Sequence, residues 1–255
     1  MSGGPKDPVL VLARKENGDP EVFESLQGEG PETGRPSAFL RLSGCNLQCV
    51  WCDTPYTWNW SGTGHRHRDP RKYDRAREQA RLGIGEAADL LERCRSRNLV
   101  LTGGEPLVQQ RALGALCGRL AERDRAWRVD VETNGTLVPD PALDRHVSLY
   151  VVSPKLANAG MTETARLPRE GLSWFARSGR AVFKFVVARE PDLDEAAGVA
   201  AALEVSPDRV FLMPEAADAG TLEARIRLAG EWSRSRGWRL SDRLHLRLYG
   251  SGRGT

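Results

Sequence analysis

No part of this 255-residue chain is an apolar run of about 18 residues, so no helical membrane span is expected. The N-terminus, Met1 to Pro8, holds no apolar signal core. There is no internal repeat and no long low-complexity tract. Neither sign of charge dominates. The net charge is +3 and comes largely from scattered arginines, which suits solvated surface and is too mild to argue for a nucleic-acid binder. A disulfide framework is also missing, because three of the five cysteines are clustered. A reducing cytoplasm is the expected compartment. Cys94 and Cys117 lie in amphipathic helical patterns and read as small buried hydrophobes.

The length fits one α/β domain spanning 1–255, and a hydrophobic content of 40% suffices for a core. The stretch Gly44–Thr54 organises the chain. Cys45, Cys49 and Cys52 stand there in C-x3-C-x2-C spacing, with Trp51 just before the third. Thiolates are soft ligands that suit iron–sulfur clusters or zinc. A cubane cluster normally takes four cysteines, so a compact set of three leaves one iron open. A structural zinc site would want a fourth protein ligand.

Apolar runs predict strands at Val9–Ala13, Val22–Leu26, Ser37–Leu42, Leu99–Leu101, Trp127–Val131, Val147–Val152, Ala181–Val187 and Val210–Met213. Helices are predicted at Gly85–Arg97, Leu107–Arg123, Leu172–Arg177, Leu193–Leu203 and Leu222–Arg236. Leu240–Leu248, with His245, reads as extended, and Gly250–Gly254 within the tail 249–255 would ordinarily be disordered. Ser61–Gln79 is polar, rich in Arg and His, and reads as an inserted mobile loop or flap (61–79) whose His65 and His67 are solvated. Gln27-Gly28-Glu29-Gly30 suits either a hairpin turn or a loop whose backbone approaches a ligand. The β-α alternation implies parallel connections in about six units, too few for a closed eight-fold barrel. The expected fold is α/β, an incomplete TIM-like barrel. Arg41, Gly104, Glu132, Ser153, Lys155 and Met213 fall at the C-terminal ends of successive strands, where ligands gather in such folds.

Thr102-Gly103-Gly104-Glu105-Pro106 follows a strand and opens a helix, and Glu105 suits an ammonium. With the three cysteines upstream, it resembles the radical S-adenosylmethionine (SAM) superfamily. Leu26–Gly30, Phe39–Leu42, Gly44–Leu47, Trp51–Thr54, Glu132–Gly135, Ser153-Pro154-Lys155 and the His245 segment occur in one order. Together they resemble the 7-carboxy-7-deazaguanine synthase family from about Phe23 onward, with 61–79 unplaced.

That resemblance implies a lyase that converts 6-carboxy-5,6,7,8-tetrahydropterin to 7-carboxy-7-deazaguanine with loss of ammonia. The product would feed queuosine or other 7-deazapurine biosynthesis. It implies a [4Fe–4S] cluster on Cys45, Cys49 and Cys52, SAM used catalytically, and Mg2+ at Thr54. A turn cap is the plain alternative for Thr54. Substrate positions carried over are Leu26, Gln27, Gly28, Arg41 and Thr102, with Glu29, Glu132 and His245 as further candidates. SAM positions are Trp51, Cys52, Asp53, Gly104, Glu105, Ser153, Pro154, Lys155 and the looser match Met213, Pro214, Glu215, Ala216. An electron donor such as flavodoxin and a homodimer are implied, with no direct nucleic-acid contact. Two alternatives stand beside this reading. One is another radical SAM enzyme, such as an activator of a glycyl-radical partner; the other is a zinc-stabilised nucleic-acid-binding module.

Overall fold

The computed structural model describes residues 8–123 and 127–254. Most of the N-terminal segment Met1 to Pro8, and Thr255 of the tail, lie outside the described residues. The strands are β1 Val9–Ala13, β2 Val22–Leu26, β3 Pro36–Leu42, β4 Gln79–Gly83, β5 Asn98–Gly103, β6 Arg128–Thr133, β7 Val147–Val152, β8 Ala181–Val187, β9 Val210–Pro214 and β10 Arg239–Leu240. The helices are α1 Arg75–Glu78, α2 Ile84–Glu92, α3 Gln110–Glu122, α4 Pro141–Asp144, α5 Glu163–Arg166, α6 Arg169–Arg177, α7 Glu190–Ala202, α8 Ala219–Arg236 and α9 Leu244–Tyr249.

One sheet runs in the order β10-β9-β8-β7-β6-β5-β3-β1-β4, with β2 also paired to β3. From β3 through β5 to β10 every pairing is parallel, whereas β1 and β2 each run antiparallel to β3. Among the described residues this is six full parallel strands and a two-residue seventh, an open and incomplete barrel as the β-α alternation implied.

Period-two alternation divides the work of the strands. Leu40 and Leu42, Leu99 and Leu101, Val129 and Val131, Tyr150 and Val152, Phe183 and Phe185, and Val210 and Leu212 pack into the main core. Their neighbours face the other way. Phe39, Arg41, Thr102, Glu132, Val151, Lys184, Val186 and Met213 line a cavity on the opposite face. A one-residue slip of β3, β6 or β8 would carry Arg41, Glu132 or Lys184 into the apolar core, so burial fixes the register. That register sets Arg41 beside Thr102 and Leu42 beside Gly103.

Four sequence expectations are corrected. Leu240–Leu248 is not extended. The strand stops at Leu240 and residues Leu244–Tyr249 form α9, because Leu246 packs with Ala216 and Leu222 and the Leu244 N–H donates to the Gly28 carbonyl at 2.9 Å. The helix expected to reach Arg97 ends at Glu92, since the Glu24 carboxylate takes the N–H groups of Arg95 and Ser96 at 2.6 and 2.7 Å. Ser61–Gln79 is not a free flap. Ser61 and Tyr73 exchange backbone bonds with Tyr73 and Asn59, Lys72 Nζ donates to Asn59 Oδ1, and Gln79 opens β4. The tail is also tied down: Arg253 pairs with Glu78 at 2.6 Å and lies 3.6 Å over the Tyr56 ring.

The end of β5 meets the cysteine loop through backbone alone. Gly103 has φ +134, and a Cβ there would stand 2.2 Å from the Leu42 oxygen; at Gly104 it would stand 2.1 Å from the Gly44 oxygen. Gly104→Ala is expected to cost on the order of 2–4 kcal/mol, because backbone cannot move aside as a flexible side chain does. Urea unfolding of the apoprotein measures this, and an unchanged midpoint would contradict the contact.

Candidate active site at the C-terminal edge of the sheet

Strand register delivers the first half of the site. Thr102 Oγ1 donates to Glu132 Oε2 at 2.7 Å, and Gln27 Nε2 donates to Glu132 Oε1 at 3.0 Å. Arg41 is held through its Nε, 2.8 Å from the fully buried Glu21, which also accepts from the Tyr56 hydroxyl. No partner among the described residues takes the terminal guanidinium nitrogens of Arg41. Despite burial, the Glu21 carboxylate keeps this arginine firmly charged. An oriented guanidinium beside an oriented carboxylate matches a ligand that carries both a carboxylate and N–H donors.

The Gln27–Gly30 loop supplies the second half. Glu29 pairs with Lys184, and with Arg243 Nε at 3.0 Å, while His245 Nε2 stands 4.0 Å away. Arg243 also binds Asp53 and the Ala216 carbonyl. Burial pushes the Glu29 carboxyl up, but Lys184, Arg243 and His245 outweigh it and hold the group well below its usual range. Burial pulls Lys184 down, yet Glu29 and Glu132 raise it overall. Burial lowers the His245 imidazole, which favours the neutral ring. Gly28 makes room for that ring, since a Cβ would lie 2.1 Å from His245 Nδ1.

Cys45, Cys49 and Cys52 are free thiols on one wall of this cavity. Leu47 N–H donates to Cys45 Sγ at 3.4 Å. The donor set is soft, clustered and partly accessible, and so fits an iron–sulfur cluster. Among the described residues no three His, Cys, Asp or Glu side chains converge on one ion, as a closed zinc tetrahedron requires. A cubane instead offers a separate iron to each thiolate. Lys155 Nζ bonds Ser153 Oγ at 2.9 Å and sits 5.8 Å from the Trp51 ring centre. Thr54 stands at the cap position of the turn Pro55–Thr57 and its carbonyl takes the Thr57 hydroxyl at 2.8 Å, but its own hydroxyl makes no cap bond and lies 3.6 Å from Cys52 Sγ.

Of the expected site residues, Leu26, Gln27, Gly28, Glu29, Arg41, Trp51, Asp53, Thr54, Thr102, Gly104, Glu132, Ser153, Lys155, Met213 and His245 line the cavity with the cysteines. Pro154, Pro214, Glu215 and Ala216 do not. Glu215 is turned to Arg68 and Arg225. Glu105 is revised as well. Its fully buried carboxylate takes Leu107 N–H at 3.0 Å, Thr133 Oγ1 at 2.7 Å and Asn134 N–H at 2.7 Å, so it braces the ends of β5 and β6 and is not free for an ammonium. Sequence reasoning missed Lys184 and Arg243. Lys184 had a signal, a lone lysine inside an apolar strand.

The comparisons agree with this geometry. Residues 40–154 match the model of the Radical SAM superfamily, and the open parallel sheet with its three-cysteine wall belongs to that class. The chain is 36% identical over 92% of its length to the 7-carboxy-7-deazaguanine synthase of Pyrobaculum aerophilum, covering 95% of that protein. It is 38% identical over 89% of its length to the Hyperthermus butylicus synthase, covering 90% of it. The crystal structure of QueE from Escherichia coli matches with a TM-score of 0.65 and 26% identity, covering 91% of this chain and 93% of that one. The chain belongs to the 7-carboxy-7-deazaguanine synthase family. The zinc-module and glycyl-radical-activator alternatives are not favoured.

Glu29→Gln is expected to destabilise the fold by about 3–5 kcal/mol, because it strands the buried Lys184 and weakens the hold on Arg243. The pH dependence follows from the depressed carboxyl. Its contribution is fully present above the usual value of 4.5 and is lost as pH falls from there toward the lower folded value. The variant should therefore lose less stability than the parent between neutral pH and acid, as read by thermal melting across pH. Parallel curves would contradict the network.

Proposed function

We propose that this chain converts 6-carboxy-5,6,7,8-tetrahydropterin to 7-carboxy-7-deazaguanine and ammonia, and that the cavity at the strand ends is where it does so. The observation that carries the reading is the side-by-side placement of Arg41, Thr102 and Glu132 on three adjacent strands, facing the three cysteines across one cavity. When bound, the cluster supplies an electron to SAM and so a carbon radical for hydrogen abstraction.

The chain's own residues bind and orient. Cys45, Cys49 and Cys52 hold the cluster. Arg41 clamps the substrate carboxylate, with Glu21 fixing its approach. Glu132, aligned by Gln27 and Thr102, accepts N–H groups of the pterin edge, and a neutral His245 closes the far side against Gly28. Trp51, Asp53, Gly104, Ser153, Lys155 and Met213 flank SAM; Lys155 is the cation suited to its carboxylate. Pro154, Pro214, Glu215 and Ala216 would contribute through backbone only. Thr54 is the residue that would hold Mg2+ through its hydroxyl, an ion that keeps waters and needs few protein oxygens. Glu29 lines the same cavity and keeps Lys184 and Arg243 in place. An acidic flavodoxin-type donor suits the basic surface of 61–79, and a homodimer fits the family.

The test is anaerobic turnover with iron and sulfide restored, plus reductant, SAM, Mg2+ and the carboxytetrahydropterin. Product in large excess over 5′-deoxyadenosine is expected. Cleavage of SAM without that product would refute the substrate. In the same assay Arg41→Lys should lower kcat/KM about ten- to a hundredfold, the loss of a charged hydrogen bond of ~1.5–3 kcal/mol.

A further inference from the structure

The segment read from sequence as a solvated flap touches the cysteine loop at two successive points. His67 Nε2 lies 2.8 Å from the Cys52 carbonyl, and Arg68 N–H donates to the Val50 carbonyl at 2.7 Å. A carbonyl only accepts, so Nε2 carries the proton in that contact. The other ring nitrogen, Nδ1, lies 3.1 Å from the Asp69 backbone nitrogen and 3.0 Å from the Asp69 carbonyl oxygen, so the Asp69 backbone holds the ring from behind. The ring also meets Trp58 edge-on, with centroids 6.0 Å apart.

The segment is itself anchored on both sides. Lys72 Nζ bonds the Asn59 side chain and the His65 carbonyl, both at 2.6 Å, and Asn59 Nδ2 donates to the Arg71 carbonyl at 3.0 Å. Arg68 reaches across to Glu215 at 3.0 Å, just past β9. On its opposite flank the cysteine loop is held by Val50 N–H to the Ala159 carbonyl at 3.1 Å and Trp51 Nε1 to Asn158 Oδ1 at 3.1 Å. The loop is thus gripped from two directions, and the His67 side chain bonds the backbone of a cysteine itself.

We infer that His67 is a positioning residue for the cysteine loop, and that its bond to the Cys52 carbonyl governs how firmly, and at what potential, a cluster on Cys45, Cys49 and Cys52 is held. This rests on the cluster assignment above. Partners one bond removed from metal ligands orient those ligands, and hydrogen bonding near the sulfurs tunes cluster potential. His65 serves as the internal control. Its ring meets Trp58 at 6.1 Å and, among the described residues, makes no bond to the cysteine loop.

The experiment compares the reconstituted parent with His67→Ala, His67→Gln, His67→Asn and His65→Ala. Readouts are anaerobic iron release to a ferrous chelator, the cluster midpoint potential, and melting of each apoprotein. His67→Ala should release iron about tenfold faster and shift the potential. Glutamine places an amide N–H near the former Nε2 and should restore both values. Asparagine reaches only the Nδ1 position, so it should behave as alanine and decides the matter if alanine fails to fold. His65→Ala should match the parent. Equal release and potential in parent and His67→Ala, or glutamine failing as alanine does, would overturn the inference. A parent that holds no cluster would instead sink the earlier assignment.

Discussion

Gly103 and Gly104 let the end of β5 lie directly on Leu42 and Gly44, backbone against backbone, and the rest of the site depends on that approach. The contact joins the two parallel strands that matter most. β3 runs into the cysteine loop, and β5 ends at the position expected to meet SAM. Gly104 N–H donates to the Leu42 carbonyl at 3.0 Å, and Glu105 N–H to the Gly44 carbonyl at 2.9 Å. Any side chain here would push the cysteine wall from the strand ends. The Glu105 carboxylate then carries the bracing to β6, where it satisfies N–H and hydroxyl groups that burial would otherwise leave unpaired.

Charge completes what backbone begins. Lys184, Glu29, Arg243 and Asp53 form a chain of ion pairs from β8 through the Gln27–Gly30 loop to the residue after Cys52. Such buried pairs add little net stability against an apolar alternative, but removing one member leaves an uncompensated charge. Their use here is geometric. They join the C-terminal segment, the Gln27–Gly30 loop and the cysteine loop, three parts distant in sequence. Arg41 is treated differently. Glu21 occupies only its Nε, so its terminal nitrogens are kept for the cavity.

The parallel strands were legible because apolar runs and β-α alternation are local signals, and β3, β7, β8 and β9 have the bounds the runs imply or differ by one residue. The three cysteines and the strand-end residues were legible because their spacing is chemistry. What was not legible depended on distant partners. Nothing local tells that Leu244–Tyr249 becomes a helix, since the reason is a Gly28 carbonyl and an apolar patch on α8. Glu105 looks like a ligand until Thr133 and Asn134 occupy it. His67 looks solvated until the Cys52 carbonyl is placed beside it. Polar segments are the hardest to read, because their order comes from bonds to other segments and not from periodicity.

The central claim is that three cysteines, set by the glycine contact, hold a four-iron cluster with one iron open to SAM. Mössbauer spectroscopy of protein reconstituted with 57Fe, before and after adding SAM, tests it most directly. The account predicts about four irons per chain and a change at one of them when SAM binds. Bound zinc without sulfide, or four irons indifferent to SAM, would contradict it.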